Sequence, residues 1–513
     1  MTAATPHAGG QTRGGSPAAS GRTGRSLAPS PLLTAVGCLA GGALSLLVLP
    51  PGLGSDTWAW LVWGREVLGL ALDPTDGPSW KPLPVLFTTP LALAGDAAPV
   101  LWAVVARAGA LLALAFAYRV AARAAGSLAG AFAVLALLAT DLVDLAASGD
   151  SEPLAAAFLL WALERHLEGR RGQALALLAL AALGRPEAWV ILVAYAAFAV
   201  ARERLLLPVA AVAAIVPPLL WLGPPWLATG DPLSAGERAN RATEASLATA
   251  EVPALAVVAK TVELAGLPVL VAALAAVCAV LIPAALRRVP ALAGGAARTA
   301  VLALAGGALV WVVLVAALTQ TGFTGNERYL FPAVAAVCAL GGAGAGIAVR
   351  AVSARRRWRT AAAALAVLLL AAPFGLSRAR DALGYRAEAS ERAGTIAGLR
   401  ETLARAGGPD RLLACGSPAV TRPGTQGTLA WELRAPLSTV ARAWPPDPRL
   451  ELRPPALVFS RTERRFDLLA PRGMLAPGLV AEPLPWRAQR WRTFSVAEGS
   501  GAARAAAARC RAR

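Results

Sequence analysis

Charge is scarce in this 513-residue chain: 16% of its residues are charged, where a soluble protein carries about a quarter. That deficit excludes an ordinary soluble globule. Lysine is nearly missing, with Lys81 and Lys260 alone, so the formal net charge of +18 rests on arginine. A basic excess can mark a nucleic-acid binder. Here most arginines sit in short loops between apolar blocks, so no nucleic-acid partner is expected. Histidine is limited to His7 and His166, in a polar tail and an inner loop, and no zinc or iron site is legible. A divalent ion held by carboxylates stays open. The five cysteines are scattered. Cys38, Cys278 and Cys338 lie inside apolar blocks and read as small core residues. Cys415 and Cys510 flank the soluble tail and could pair only if they meet in an oxidising space. The short alternating segments of a closed barrel are missing, as is any repeat of solenoid period.

What is present is apolar: 56% of residues are hydrophobic, gathered in long blocks. A block of about 20 such residues spans a bilayer as a helix. Eleven spans are expected, at 31–50, 99–118, 127–142, 153–167, 172–184, 187–201, 205–222, 265–286, 299–319, 330–349 and 360–377. The proline-broken run 81–95 (KPLPVLFTTPLALAG) reads as a re-entrant or interfacial piece. Residues 1–30 read as a disordered basic tail. The first span is followed by Pro-Pro-Gly and not by a cleavage signal, so it reads as uncleaved.

From about residue 379 hydropathy falls, and short apolar runs alternate with Pro- and Gly-rich turns, as strands do. The expectation is therefore an all-α polytopic membrane bundle over 31–378, with a small C-terminal α/β domain over 379–498. The low-complexity end, 499–513, reads as disordered.

Loop charge sets the expected orientation, because Lys and Arg accumulate on the cytoplasmic side. Arg119 and Arg123, Arg165, Arg170 and Arg171, Arg202 and Arg204, and Arg355 to Arg357 mark inner loops. A cytoplasmic N-terminus then puts the C-terminal domain outside the cell membrane. The outer loops hold Asp56, Asp141, Asp144, Asp150 and Glu152, then Arg185 and Glu187, then Asn326 to Tyr329.

Each of these residues has a plain explanation beside a functional one. In "GSDTWAWLVWGREVLG" Asp56 is either the N-cap of a short interfacial helix, whose three indoles suit the headgroup zone, or a catalytic carboxylate at the membrane surface. Asp150 and Glu152 precede a span, where acids favour the helix dipole. Arg185 and Glu187 form either an anchoring ion pair or part of a site. Arg107, inside an apolar run, either snorkels or binds an anion. Lys81, Arg185 and Arg328 break the positive-inside trend, and cations at phosphate depth suit a bound phosphate.

In their order along the chain, Asp56, "WKPLPVLFTTPLALAG", "VVARAGALLAL", "GDSEPLAAAF", "LAALGRPEAWV" and "NERYLFPA" make the chain resemble a family. It is similar to the polyprenyl-phosphate-dependent glycosyltransferases of the GT-C fold, most of all the protein O-mannosyltransferase-like and aminoarabinose-transferase-like branch, over residues 31 to about 350. The resemblance implies a polyprenyl-phosphate sugar donor drawn from membrane lipid. It implies transfer of a mannose-like sugar to the hydroxyl of an acceptor glycan, lipid or protein at the outer face. Asp56 would be the catalytic acid-loop residue, as general base or as organiser of the acceptor. Lys81, Arg107, Asp150, Glu152, Arg185, Glu187, Glu327, Arg328 and Tyr329 would bind donor or acceptor. Two departures stand out: Asp56–Thr57 replaces an Asp-Glu pair, and Lys81-Pro82-Leu83-Pro84 replaces a His-Pro-Pro-Leu-like stretch. They keep a catalytically inactive, glycan-binding homologue in view, beside a transporter or flippase.

Overall fold

A computed structural model describes residues 30–240, 246–282, 295–353, 356–442, 452–461 and 475–512. The expected disordered tail over 1–30 lies almost wholly outside them. The chain enters the bundle at α1 (Pro31–Ser45), where the Ser30 hydroxyl accepts from the Leu33 amide and Pro31 occupies the first turn, a position that suits its missing N–H. Then follow α2 (Ser55–Leu68), α3 (Pro82–Leu91), α4 (Ala98–Ala125), α5 (Ser127–Leu138), α6 (Leu142–Ser148) and α7 (Glu152–Leu167). Next come α8 (Arg171–Gly184), α9 (Ala188–Arg202), α10 (Leu207–Thr229), α11 (Ser234–Ala239), α12 (Pro253–Ala265) and α13 (Leu267–Leu281). The bundle closes with α14 (Gly295–Gln320) and α15 (Phe331–Ser353).

Among the described residues every expected span falls on a helix, and 283–286 of the 265–286 span lie outside them. Not every one is long enough to cross alone. Among the described residues, four helices are long and apolar enough to cross a membrane, or six if each of two bent pairs counts as one span. α5 and α6 are bent by 59°, and α12 and α13 by 96°. The 81–95 run forms α3 and a short 3-10 turn, Ala92–Ala97, broken where Gly95 takes a positive φ of 55°.

The bundle is built around α15. The apolar window of its span, Glu327–Val352, is 94% buried. Its GGAGAG stretch lets neighbouring backbones come close. A Cβ at Gly342 would lie 2.5 Å from the Ala133 amide nitrogen of α5, and one at Gly341 would lie 2.7 Å from Val269 of α13. Small residues serve helix packing this way inside a membrane, where oil-from-water driving force is lost.

Arg107 takes a structural place here. It donates 2.8 Å to the Pro50 carbonyl and 3.2 Å to the Ser45 hydroxyl, fastening the end of α1 to α4. At the opposite end of the bundle Glu164 is fully buried and accepts from Arg119 and, at 2.7 Å, from Arg165.

The expected domain boundary at 378/379 falls inside a single helix, α16 (Arg357–Arg405). Its apolar first part continues without interruption into the C-terminal domain. That domain carries a five-stranded mixed sheet in the order β2-β1-β3-β5-β4. The strands are β1 (Ser417–Val420), β2 (Ala441–Arg442), β3 (Ala456–Arg461), β4 (Leu479–Ala488) and β5 (Trp491–Glu498). β1 pairs in parallel with β2 and β3, and β5 is antiparallel to β3 and β4. Two short helices, α17 (Pro409–Leu413) and α18 (Gln426–Glu432), connect these pieces.

The C-terminal end corrects the sequence reading. Residues Gly499–Ala512 form a helix, α19, and bury Ala503, Ala506, Ala507 and Cys510. Their spacing is a helical stripe, and it packs on β4 and β5. Low complexity here is an alanine face. The Cys510 thiol reaches the backbone of Cys415, its Sγ 3.7 Å from the Cys415 carbonyl oxygen.

α2 is buried between bundle and domain. Trp58, Trp60 and Trp63 are at most 2% exposed, so the indoles face no lipid headgroup. Trp58 meets Trp431 of α18, Trp60 meets Trp102 of α4, and Trp63 meets Trp80. Arg65 donates 3.2 Å to the Trp431 carbonyl and 2.9 Å to that of Ala435. Bundle and domain therefore share one apolar core across α2.

Candidate active site

At the end of the bundle that carries the C-terminal domain lies a cavity of about 650 Å3. Its wall includes Asp56, Lys81, Asp150, Arg185, Glu327, Arg328 and Tyr329, each brought there by a local device.

Asp56 is the second residue of α2. Gly54, not Asp56, is the N-cap, so the capping explanation falls. The start of α2 is pinned to the α6–α7 turn instead. The Gly54 amide donates 2.8 Å to the Ser148 carbonyl, and the Thr57 hydroxyl donates to the carbonyls of Ser148 and Gly149 at 3.0 and 3.2 Å. Gly149 has φ +74°, and a Cβ there would press within 2.9 Å of Leu53. The left-handed turn it allows aims Asp150 at the cavity, where the Ser148 hydroxyl donates 2.7 Å to Asp150 Oδ2.

Arg328 comes from a short 3-10 turn, Glu327–Leu330, ahead of α15. Its Nη1 donates 2.8 Å to Asp150 Oδ1, and its Nη2 donates to Asp56 Oδ2. One guanidinium thus bridges two carboxylates. Burial raises the pKa of the Asp150 carboxyl, a push that the Arg328 charge opposes. Tyr329, held from behind by the Trp311 indole N–H on its carbonyl at 2.9 Å, lies under the Arg185 guanidinium at 3.8 Å. Phe323 stacks on Tyr329.

Behind the wall sits Glu152, fully buried. It accepts from Lys81 Nζ at 2.8 Å and faces Arg185 Nη1 at 3.6 Å. Arg185 is gripped a second time by Glu187, at 2.5 and 3.2 Å. Glu152 and Glu187 are therefore counter-ions to cavity cations and do not line the cavity themselves. Arg107 is also outside it, in the contact with α1 described above. Glu327 sits at the rim and pairs with Lys260 at 3.2 Å.

Sequence reading missed several wall residues. Trp189 and Trp221 present indoles whose N–H groups are spent on the Ala182 carbonyl at 3.2 and 2.9 Å. Asp141 and Asp144, legible in the sequence as outer-loop acids without an assigned role, also line the wall, and Asp144 accepts from Arg392 of α16 at 3.4 Å. Arg392 belongs to a stretch that reads as a separate domain, so no local signal points to it. Among the described residues no group of three or more His, Cys, Asp or Glu side chains is placed to hold a metal ion. Asp56, Asp150 and Glu152 pair with arginine and lysine instead.

No protein-family model matches the chain, and no curated protein matches it. Its structure is similar to the crystal structure of ArnT from Cupriavidus metallidurans bound to undecaprenyl phosphate. The TM-score is 0.51 at 16% identity, covering 92% of this chain and 98% of that one. The chain has the GT-C fold. ArnT in its apo state gives a TM-score of 0.49 at 15% identity, over 90% of this chain and 97% of that one. The Archaeoglobus fulgidus oligosaccharyltransferase in its apo form gives 0.36 at 14% identity, over 70% of this chain and 56% of that one. In this GT-C chain the cavity lies between the bundle end, the start of α2 and residues 232–239.

Chemically the cavity is a mixed-charge surface. Its cations are fixed by carboxylates, its aromatic walls offer flat apolar faces, and Asp56 lies on the wall in an ion pair with Arg328. Such a surface can hold a phosphate beside a hydroxyl-bearing partner.

Proposed function

We propose that the protein is an integral-membrane glycosyltransferase. It moves a sugar from a polyprenyl-phosphate donor to an acceptor hydroxyl at the face carrying the C-terminal domain, taken as extracytoplasmic. The observation that carries this reading is the convergence of Lys81, Arg185 and Arg328 on one cavity beside Asp56. The ArnT structure, which holds undecaprenyl phosphate, supports a lipid phosphate as the ligand class.

The reaction breaks the bond between the anomeric carbon and the phosphate oxygen. Charge then builds on the departing polyprenyl phosphate, and fixed cations lower that barrier without reorganising. An arriving phosphate competes with Asp56 and Asp150 for Arg328. A guanidinium turned to phosphate releases Asp56, which can then take the proton from the acceptor hydroxyl. The acceptor oxygen attacks opposite the leaving phosphate, so the configuration inverts. The sugar, mannose-like on the sequence resemblance, would lie against the aromatic walls. Its acceptor is a glycan, lipid or protein.

Vesicles holding the protein, given a labelled polyprenyl-phosphate sugar and envelope acceptors, test this directly. Transfer by the parent and its loss in Asp56→Asn support the reading. Transfer by Asp56→Asn at the parental rate removes Asp56 as the base.

One observation favours a second reading. Thr57 stands where a second acid was expected, and its hydroxyl is consumed in holding α2 to Ser148 and Gly149. Glycan or lipid-phosphate binding without turnover in the same vesicles would mark a binding protein built on this fold.

A further inference from the structure

The segment 70–81 joins α2 to α3 and ends at Lys81. The C-terminal domain grips its middle at Asp76, beside a Ser438 hydrogen bond to Asp73. Asp76 Oδ2 accepts 2.8 Å from Gln426 Nε2 of α18, and its Oδ1 accepts 2.8 Å from Arg442 Nη2 of β2. The same Arg442 nitrogen donates 3.0 Å to the Gly77 carbonyl. Neither partner is casual. Gln426 is 1% exposed and also donates to the carbonyls of Leu437 and Val440, so its amide is held before it meets Asp76.

Gly77 completes the turn with φ +101°, and a Cβ there would lie 3.0 Å from both Leu437 and Trp63. Beyond the turn the segment is stiff. The Ser79 hydroxyl donates 2.8 Å to the Ala235 carbonyl, and the buried Trp80 indole donates 2.9 Å to the Leu220 carbonyl. Lys81 follows, with its ammonium on Glu152 and over the Trp60 ring.

We propose that Asp76 is a positioning residue, through which the C-terminal domain sets how Lys81 is presented to the cavity. The domain is then part of the frame of the site. Without the Asp76 carboxylate the turn at Gly77 loses its ion pair and keeps the Arg442 hydrogen bond to its carbonyl, and the Lys81 ammonium loses its fixed register against Glu152. The upstream half of the segment keeps a separate hold, since Arg238 donates 2.8 Å to the Pro74 carbonyl, so loss of Asp76 leaves the bundle folded. The effect on ligand rests on the proposed lipid-phosphate reading, and the effect on Lys81 itself does not.

The chain's lysine poverty makes the test clean, because Lys81 and Lys260 are the only side-chain amines and peptide mapping separates them from the α-amine. In the full chain in nanodiscs, Lys81 of the parent is shielded. In Asp76→Ala its labelling rate rises about tenfold, the equilibrium change that loss of one charge-assisted hydrogen bond brings, while that of Lys260 holds. Arg442→Gln gives a smaller rise, and Asp76→Asn an intermediate one. Equal Lys81 labelling in parent and Asp76→Ala overturns the proposal. So does a rise shared equally by Lys260 in both Asp76→Ala and the milder Arg442→Gln, which reports general loosening.

Titration with undecaprenyl phosphate gives the second readout. Asp76→Ala and Lys81→Ala each weaken binding, and the double variant is no weaker than Lys81→Ala alone. Fully multiplying losses overturn the coupling. A parent that binds no lipid phosphate sinks the functional reading, and the labelling ratio then decides the clamp alone.

Discussion

Arg328 Nη2 donates to Asp56 Oδ2 across 272 residues of chain, and this ion pair connects the start of α2 to the turn before α15. It also occupies one oxygen of the candidate base, Asp56 Oδ2. The arginine's other nitrogen holds Asp150, so three loops meet on one side chain.

Replacing Arg328 therefore has two separable results. On the proposed transferase reading, Arg328→Ala removes a cation from the leaving phosphate and lowers kcat by about 100-fold or more, as loss of one oriented donor does elsewhere. Arg328→Lys keeps the charge but cannot bridge both acids, and it recovers part of that loss. Transfer kinetics in vesicles check both.

Glu152 neutralises Lys81 and Arg185 from inside the wall. Glu152→Gln leaves the buried Lys81 ammonium without its counter-ion and Arg185 with Glu187, which costs on the order of 3 kcal/mol. A lowered unfolding midpoint in detergent is expected. An unchanged midpoint would mean that water or lipid already satisfies the ammonium.

Glu66, on α2 beneath the C-terminal domain, gives a pH signature. Burial pushes its carboxyl up to about 7, against the Asp73 amide that hydrogen-bonds it. The folded chain therefore holds a proton that the unfolded chain releases near 4.5. The contribution of this group to stability falls as pH rises from there to about 7, and stays low above that. Glu66→Gln keeps the shape and the acceptor without ionising. Its melting temperature should equal the parent's near pH 4.5 and exceed it at pH 8.

Truncation after Glu498 removes α19 and uncovers the face of β4 and β5 that Ala503, Ala506 and Ala507 cover. The C-terminal domain should then be cut by protease under conditions that leave the full chain intact. Equal resistance would show that the helix is dispensable.

Two kinds of information separate along these lines. Apolar blocks of membrane length dictate the helices locally, because backbone polar groups in lipid must be satisfied within the segment. The bundle and its loop order were accordingly legible, and so were Asp56, Asp150, Arg185 and Arg328 as charges collected at one end. The alanine stripe of α19 was legible only as low complexity, since a face without large side chains shows its periodicity through burial alone.

What stayed hidden depends on pairing at a distance. Whether Arg107 meets a ligand or the end of α1, whether an indole meets lipid or α18, and which acid takes Arg328 are decided by neighbours far along the chain. Short-range pattern carries no record of those partners. An isolated charge in an apolar run announces only that it must be satisfied, because burial without a partner is too costly, and the packed tertiary structure alone selects what satisfies it.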